Sequence, residues 1–217
     1  TTGSAGITFG IVSPTYAKKE PWTYQWPFNK VSENMALDFQ ELINARGFTA
    51  RGPFGSYEEM TYPDKKGVDL ILEPLLQVNL EITNLQYETS YSSVLSLSLN
   101  ENYALRGDVV LSGRVTLSIA ESLTKERMWS KSIEIPRTIL PWKGTRKYPM
   151  LTRQDGTQYV PEKIEVDYTD PGFAQAIGKP IEDFYINVLQ TAWKYLEPEE
   201  MRLVSKQAEE IRKKKVY

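Results

Sequence analysis

The chain has 217 residues, with 26 lysines and arginines against 28 aspartates and glutamates, and neither histidine nor cysteine. That double absence excludes Ser-His-Asp and Cys-His sites, thiol chemistry, and the nitrogen and sulfur ligands that zinc, copper and iron prefer. A net charge of −2 supplies no basic field for nucleic acid, and no apolar run approaches the roughly 20 residues of a membrane-spanning helix. Binding or scaffolding is therefore expected ahead of catalysis, with no cofactor and no metal.

The start, Thr1-Thr2-Gly3-Ser4-Ala5-Gly6, lacks an initiator Met and reads as a mature protein whose leader has been removed. Gly6 to Ser13 predicts a first strand, stopped by Pro14. A loop rich in aromatics and prolines runs from Tyr16 to Asn29. Val31, Met35, Phe39, Leu42 and Ile43 then share one helical face, with Asn29 as the expected N-cap and Gly47 as the stop. Phe48 to Phe54 predicts a second strand.

The centre reads as an antiparallel meander with one solvated face. Val68, Leu70, Leu72, Leu76, Val78, Leu80 and Ile82 alternate with polar residues in a long strand expected to bulge or bend at Pro74. Leu95, Leu97 and Leu99 alternate with serines. Val109, Leu111, Val115, Leu117 and Ile119 give the cleanest period of two, continued by Trp129, Ile133 and Ile135. Turns are expected at Asn100-Glu101-Asn102, at Arg106-Gly107-Asp108 and from Ser122 to Arg127. Asp155-Gly156 predicts a small hairpin. Asp170 and Pro171 can open a helix with Phe173, Ala176, Ile177, Ile181, Phe184, Val188, Ala192 and Trp193 as its apolar stripe. Gly178 and Pro180 predict a kink there, or two helices meeting. Pro198 breaks the run before a charged final helix.

Three groups of residues are candidate sites. Trp22, Tyr24, Trp26 and Phe28 occupy alternate positions, so in an extended chain they would form one aromatic ladder for sugar faces or a partner protein. The competing reading, which is favoured, is that the loop folds back and the rings plug the end of the sheet. Trp142, Lys143, Arg146, Lys147 and Arg153, with Tyr148 and Tyr159, form a basic aromatic patch suited to a phosphate, an anionic sugar or an acidic surface. A solvated loop would carry the same charges. Met201, Val204, Ala208 and Ile211 stripe the final helix, which either packs on the preceding helix or is offered to a partner chain. The Lys/Arg cluster that ends that helix is read as complementing its dipole. Glu73, Glu81, Asp108, Glu162, Glu165 and Asp167 could supply a glycosidase pair, but no spacing links any two of them.

Three stretches resemble the neuraminyllactose-binding hemagglutinin type of Gram-negative envelope lipoprotein. They are Phe39-Gln40-Glu41-Leu42-Ile43-Asn44-Ala45-Arg46-Gly47-Phe48, the pair Val115 to Ser122 and Met128 to Ile133, and the C-terminal helix pair broken at Leu196-Glu197-Pro198-Glu199. Gly67 to Leu72 is also similar to the start of the long strand in related outer-membrane accessory lipoproteins. The resemblance implies a non-catalytic protein at the bacterial outer membrane, periplasmic or surface-exposed, held by an N-terminal lipid anchor outside this chain. Its partners would be glycans or other envelope proteins, in a homo- or hetero-oligomer, and not nucleic acid.

Together these readings predict an α+β fold: a mainly antiparallel β-sheet with helices on one face and a C-terminal helical hairpin. Residues 1–197 would form the lipoprotein-like domain and 198–217 the charged helix. The expected function is adhesin-like binding. The alternative is an accessory subunit of a secretion or motility complex, and a carboxylate-based glycosidase is the outlying one.

Overall fold

A computed structural model describes residues 6–92, 100–149, 151–159 and 167–214, with 89–92, 100–101, 147–149, 151–152 and 158–159 described by backbone alone. The Leu95–Leu99 alternation, Glu162, Glu165 and the side chains of Lys147, Tyr148 and Tyr159 lie outside the described residues. The elements in order are β1 (Thr8–Val12), β2 (Thr15–Tyr16), a 3₁₀ turn (Pro21–Tyr24), α1 (Phe28–Ala45), β3 (Thr49–Phe54) and α2 (Tyr62–Lys66). There follow β4 (Leu70–Ser92), β5 (Asn100–Glu121), β6 (Arg127–Pro149), β7 (Leu151–Thr152), β8 (Gln158–Tyr159), α3 (Pro171–Tyr195) and α4 (Pro198–Lys214).

The fold is α+β, as expected. The main sheet has the order β3-β1-β4-β5-β6, with β2 beside β4. β1 runs parallel to both β3 and β4, because α1 carries the chain back over the sheet between β1 and β3. β4, β5 and β6 are antiparallel and 22 or 23 residues long, far beyond the usual strand of about five or six. Their period of two sends Leu70, Leu72, Leu111, Val115, Leu117, Ile119 and Ile133 into one core with Phe39 of α1, Phe173 and Ile181 of α3, and Met201 of α4. Val12, Met60, Val68 and Ile71 form a smaller cluster.

Four expectations change. α1 starts at Phe28 with Pro27 at the cap, so Asn29 lies inside the first turn, where its Oδ1 accepts the Lys30 N–H at 2.8 Å. Pro74 does not bulge β4: it stays in register opposite Leu117. It is tolerated because it falls between the pairing with β1, which ends at Leu72, and that with β2, which starts at Leu75. Asn100-Glu101-Asn102 and Arg106-Gly107-Asp108 are not turns but parts of β5. The bulge lies opposite Gly107 instead, where Asn84 (φ 53°) and Leu85 of β4 together face that one residue. A Cβ at position 107 would stand 2.9 Å from the Thr83 carbonyl oxygen, so only glycine fits so close an approach. Finally, α3 is a single helix through Gly178 and Pro180, which excludes two separate helices meeting there. Apolar contacts at Phe173 and Ile177 before the proline, and at Ile181 and Phe184 after it, hold both halves on the sheet.

The Asp155-Gly156 hairpin forms as β7 and β8. Asp170 caps α3 through an Oδ1 that accepts the Gly172 N–H at 2.7 Å. The stripe of α4 is covered within the chain: Met201, Val204 and Ala208 are buried in the common core and Ile211 is half-buried. Burying Met201 and Val204 is worth about 1.5–3 kcal/mol each, enough to hold a 17-residue helix that would be marginal in isolation. The Trp129 Nε1–H of β6 also donates to Glu200 of α4 at 2.7 Å. The reading of this stripe as a face offered to a partner is therefore corrected.

Candidate binding site

The aromatic segment does not form a ladder. Pro21 to Tyr24 coil into a 3₁₀ turn, and Phe28 belongs to α1. The spacing of three residues per turn replaces the period of two, so alternate rings no longer share a face. Thr23 holds the turn through its hydroxyl, which donates to the Glu20 carbonyl at 2.7 Å. Trp22 and Phe28 fold inward and meet with ring centroids 4.7 Å apart, and Tyr16 meets Trp22 edge-on at 6.4 Å. The Tyr16 hydroxyl donates to the Phe28 carbonyl at 2.9 Å, and burial pushes its pKa well above the ordinary tyrosine value. Tyr24 and Trp26 stay outside, 63% and 46% exposed. The Trp26 ring lies against Gly178 of α3, where a β-carbon would collide with it. The favoured reading of the segment thus describes Trp22 and Phe28, while Tyr24 and Trp26 remain available to a ligand.

The basic aromatic patch is also dispersed. Trp142 is buried against Phe173 (6.4 Å between centroids) and leaves its Nε1 without a hydrogen-bond partner among the described residues. Arg146 is bound to Asp167 at 2.6 Å. The Asp167 carboxyl is held below the usual range first by hydrogen bonds from the Thr169 hydroxyl and amide and then by Arg146. Arg153 sits on the β7–β8 hairpin. Lys143 is exposed and has no ion pair among the described residues.

Lys143 lies at the rim of a cleft of about 580 Å³. Gly107 leaves room for it, the bulge residue Asn84 and Gln86 form the β4 side, and Gln175 and Ala176 of α3 form the other. Asn84 donates to Asp108 at 2.7 Å, and the Arg106 guanidinium hydrogen-bonds Glu88. The cleft thus offers amides, one carboxylate and two cations around an apolar wall, a lining suited to a polar, sugar-like ligand. Both the cleft and Trp26 border the N-terminal half of α3, through Gln175 and Gly178.

Among the carboxylates, Glu81 is exposed, Asp108 is engaged by Asn84 and Asp167 by Arg146, and Glu73 lines a separate, smaller cavity. Among the described residues no group of three or more carboxylates could hold a metal ion, and no helix is long and apolar enough to cross a membrane. One polar centre was missed from the sequence. Glu121, at the end of β5, is fully buried and bonded to Arg212 of α4. A signal existed: Arg212 follows Ala208 by four residues and so falls on the apolar face of its helix.

No family model and no curated protein matches the chain. Solved structures do. A structure described as a homolog of the neuraminyllactose-binding hemagglutinin, from Helicobacter pylori, superposes with a TM-score of 0.57 at 16% identity, covering 93% of this chain and 91% of its own. What the two share is the fold. A lipoprotein of Neisseria meningitidis matches at 12% identity and a TM-score of 0.32, covering 65% and 84% of the two chains. PelC of Paraburkholderia phytofirmans, solved as a dodecamer, matches at 11% identity and a TM-score of 0.31, covering 82% and 89%.

Proposed function

We propose that this chain is a non-catalytic, adhesin-like protein of the Gram-negative cell envelope that binds glycans at the N-terminal half of α3. The observation that carries this reading is the pairing of exposed aromatics, Tyr24 and Trp26, with a cleft lined by Asn84, Gln86, Gln175 and Lys143. Aromatic faces take the apolar side of a sugar ring, and planar amides and cations take its hydroxyls and acidic groups. The fold likeness to the hemagglutinin homolog supports the same reading. A location at the outer membrane through an N-terminal lipid anchor is part of the proposal.

The test is a glycan array probed with the wild-type chain and with Trp26→Ala and Lys143→Ala. Selective retention is expected, weakened by both substitutions with the circular dichroism spectrum unchanged. An array without signal overturns the reading.

A second reading, an accessory subunit of an envelope secretion or motility complex, is favoured by a different surface. Leu37, Ile186 and Trp193 are exposed on α1 and α3, beside a groove lined by Leu42, Ala45 and Leu189. Such a subunit would dock through these helices, since Pro136 and Pro141 interrupt the free edge of β6 against strand addition. Pulldown after crosslinking in native membranes would recover a stoichiometric partner, whereas isolation as a lone monomer would eliminate this reading.

A further inference from the structure

A second cavity, of about 260 Å³, lies on the sheet face opposite the helices. Its floor is Glu73, Pro74 and Leu75 of β4 with Ser118 of β5, and Ser13 and Thr15 line one side. The other side is built from two loops, Ser56-Tyr57-Glu58 and the β5–β6 turn with Lys125 and Arg127. Tyr57 ties these loops together. Its hydroxyl reaches the carbonyls of Ser122 and Leu123 at 3.0 and 3.2 Å, and its ring lies within 4.0 Å of Lys65 Nζ and 4.6 Å of Lys125 Nζ. The enclosure is therefore held by the contacts of Tyr57, itself part of the wall.

The charges inside are unevenly matched. Lys125 pairs with Glu58 at 2.7 Å. That hydrogen bond is the main reason its ammonium titrates above the ordinary lysine value, and Glu73 adds to it. Glu73 and Arg127 line the same space with opposite charge, yet among the described residues neither side chain makes a hydrogen bond or an ion pair with the other or with a third group. Ser118, between them in the floor, is buried.

Each simple ligand class leaves one of these groups unmatched. A neutral sugar would bury both charges without a counter-charge, which is costly. An inorganic anion would satisfy Arg127 and face the Glu73 carboxylate. A metal cation would satisfy Glu73 and face Arg127 and Lys125. A ligand carrying both signs a few bonds apart satisfies Glu73 and Arg127 together and leaves the Lys125–Glu58 pair intact, with the serine and threonine hydroxyls left for its remaining polar atoms. The volume admits a small molecule of that kind and no polymer chain. We propose that this cavity binds a small zwitterion of the free α-amino-acid class, its carboxylate on Arg127 and its ammonium on Glu73.

The experiment is ligand-observed NMR and calorimetry on the whole chain with L-alanine, acetate and methylammonium as probes. L-Alanine is expected to bind, with acetate and methylammonium each weaker by about tenfold or more, the scale of losing one charge-assisted contact. Arg127→Gln and Glu73→Gln should each weaken L-alanine about tenfold. Both positions are at least partly exposed, so both variants should keep the wild-type circular dichroism spectrum. Arg127→Lys, which keeps the charge and loses the fork, should retain part of the affinity. Absence of L-alanine binding overturns the proposal. So does acetate binding as tightly as L-alanine, which would define an anion site, or a Glu73→Gln variant with undiminished affinity.

Discussion

Arg212, in the last turn of α4, donates from Nε to the fully buried carboxylate of Glu121 at the end of β5. One Nη shares its two hydrogens among the carbonyls of Val68 and Asp69, at 2.9 and 3.0 Å, and Ser122 Oγ at 2.6 Å, and the other Nη lies 3.7 Å from the Asp69 carboxylate. The second Glu121 oxygen accepts the Leu123 and Thr124 amides at 3.0 and 2.7 Å. One guanidinium thus ties the C-terminal helix to the start of β4, the end of β5 and the turn after it.

Arg212→Ala should therefore destabilise the protein by about 3 kcal/mol, because it leaves the Glu121 carboxylate buried without its cation. Urea denaturation measures the loss. Hydrogen exchange should place it first in α4, whose amides would open before those of β4 and β5. A midpoint within error of wild type would mean that solvent replaces the guanidinium at no cost.

The same pair gives stability a pH dependence. Burial pushes the Glu121 carboxyl up, but the Arg212 hydrogen bond and the Thr124 and Leu123 amides outweigh it and hold the pKa below the ordinary 4.5. A carboxyl whose folded pKa is depressed contributes stability fully above its unfolded pKa and loses it as pH falls through the folded value. The Glu121 contribution should accordingly be constant at neutral pH and decline below pH 4.5. Glu121→Gln should be less stable at pH 7, and its difference from wild type should shrink on acidification. A difference that stays constant from pH 7 to pH 3 would contradict the linkage.

Trp22 and Trp26 separate stability from binding. Trp22 is 5% exposed and packed on Phe28 and Tyr16, so Trp22→Ala should cost about 3–5 kcal/mol. Trp26→Ala removes a half-exposed ring and should cost well under half of that, while weakening retention on the array. Equal losses of stability in the two variants would mean that the Trp26 ring is structural too.

The sequence made the elements legible where one period ran uninterrupted. Val109 to Ile119, the α1 face and the Asp170-Pro171 cap each carry a local cause that tertiary contacts reinforced. It misled where local and long-range causes oppose each other. Arg106-Gly107-Asp108 has the composition of a turn, and only the neighbouring strand's bulge at Asn84-Leu85 explains why a glycine is needed inside β5. The aromatic segment left two readings open, an extended ladder and the favoured fold-back, and burying Trp22 on Phe28 decides for the fold-back at those two rings. The cleft at Lys143 and the cavity at Glu73 join residues from three or more elements, so no spacing along the chain could announce them.

Gly178 tests the Trp26 contact directly. Within α3, glycine costs about 1 kcal/mol relative to alanine, so in a Trp26→Ala background Gly178→Ala should stabilise the protein by about that amount. In the wild-type background the new methyl meets the indole. The ring is on the surface and can swing outward, so the gain should largely cancel, and tryptophan fluorescence should shift to the red. Comparing the four proteins isolates the Trp26–Gly178 coupling, expected at roughly 0.5–1 kcal/mol. Retention on the glycan array should fall in Gly178→Ala as it does in Trp26→Ala, because the displaced ring no longer stands beside the cleft. Strict additivity of the two substitutions, with undiminished glycan binding by Gly178→Ala, would separate Trp26 from α3 and from the site proposed there.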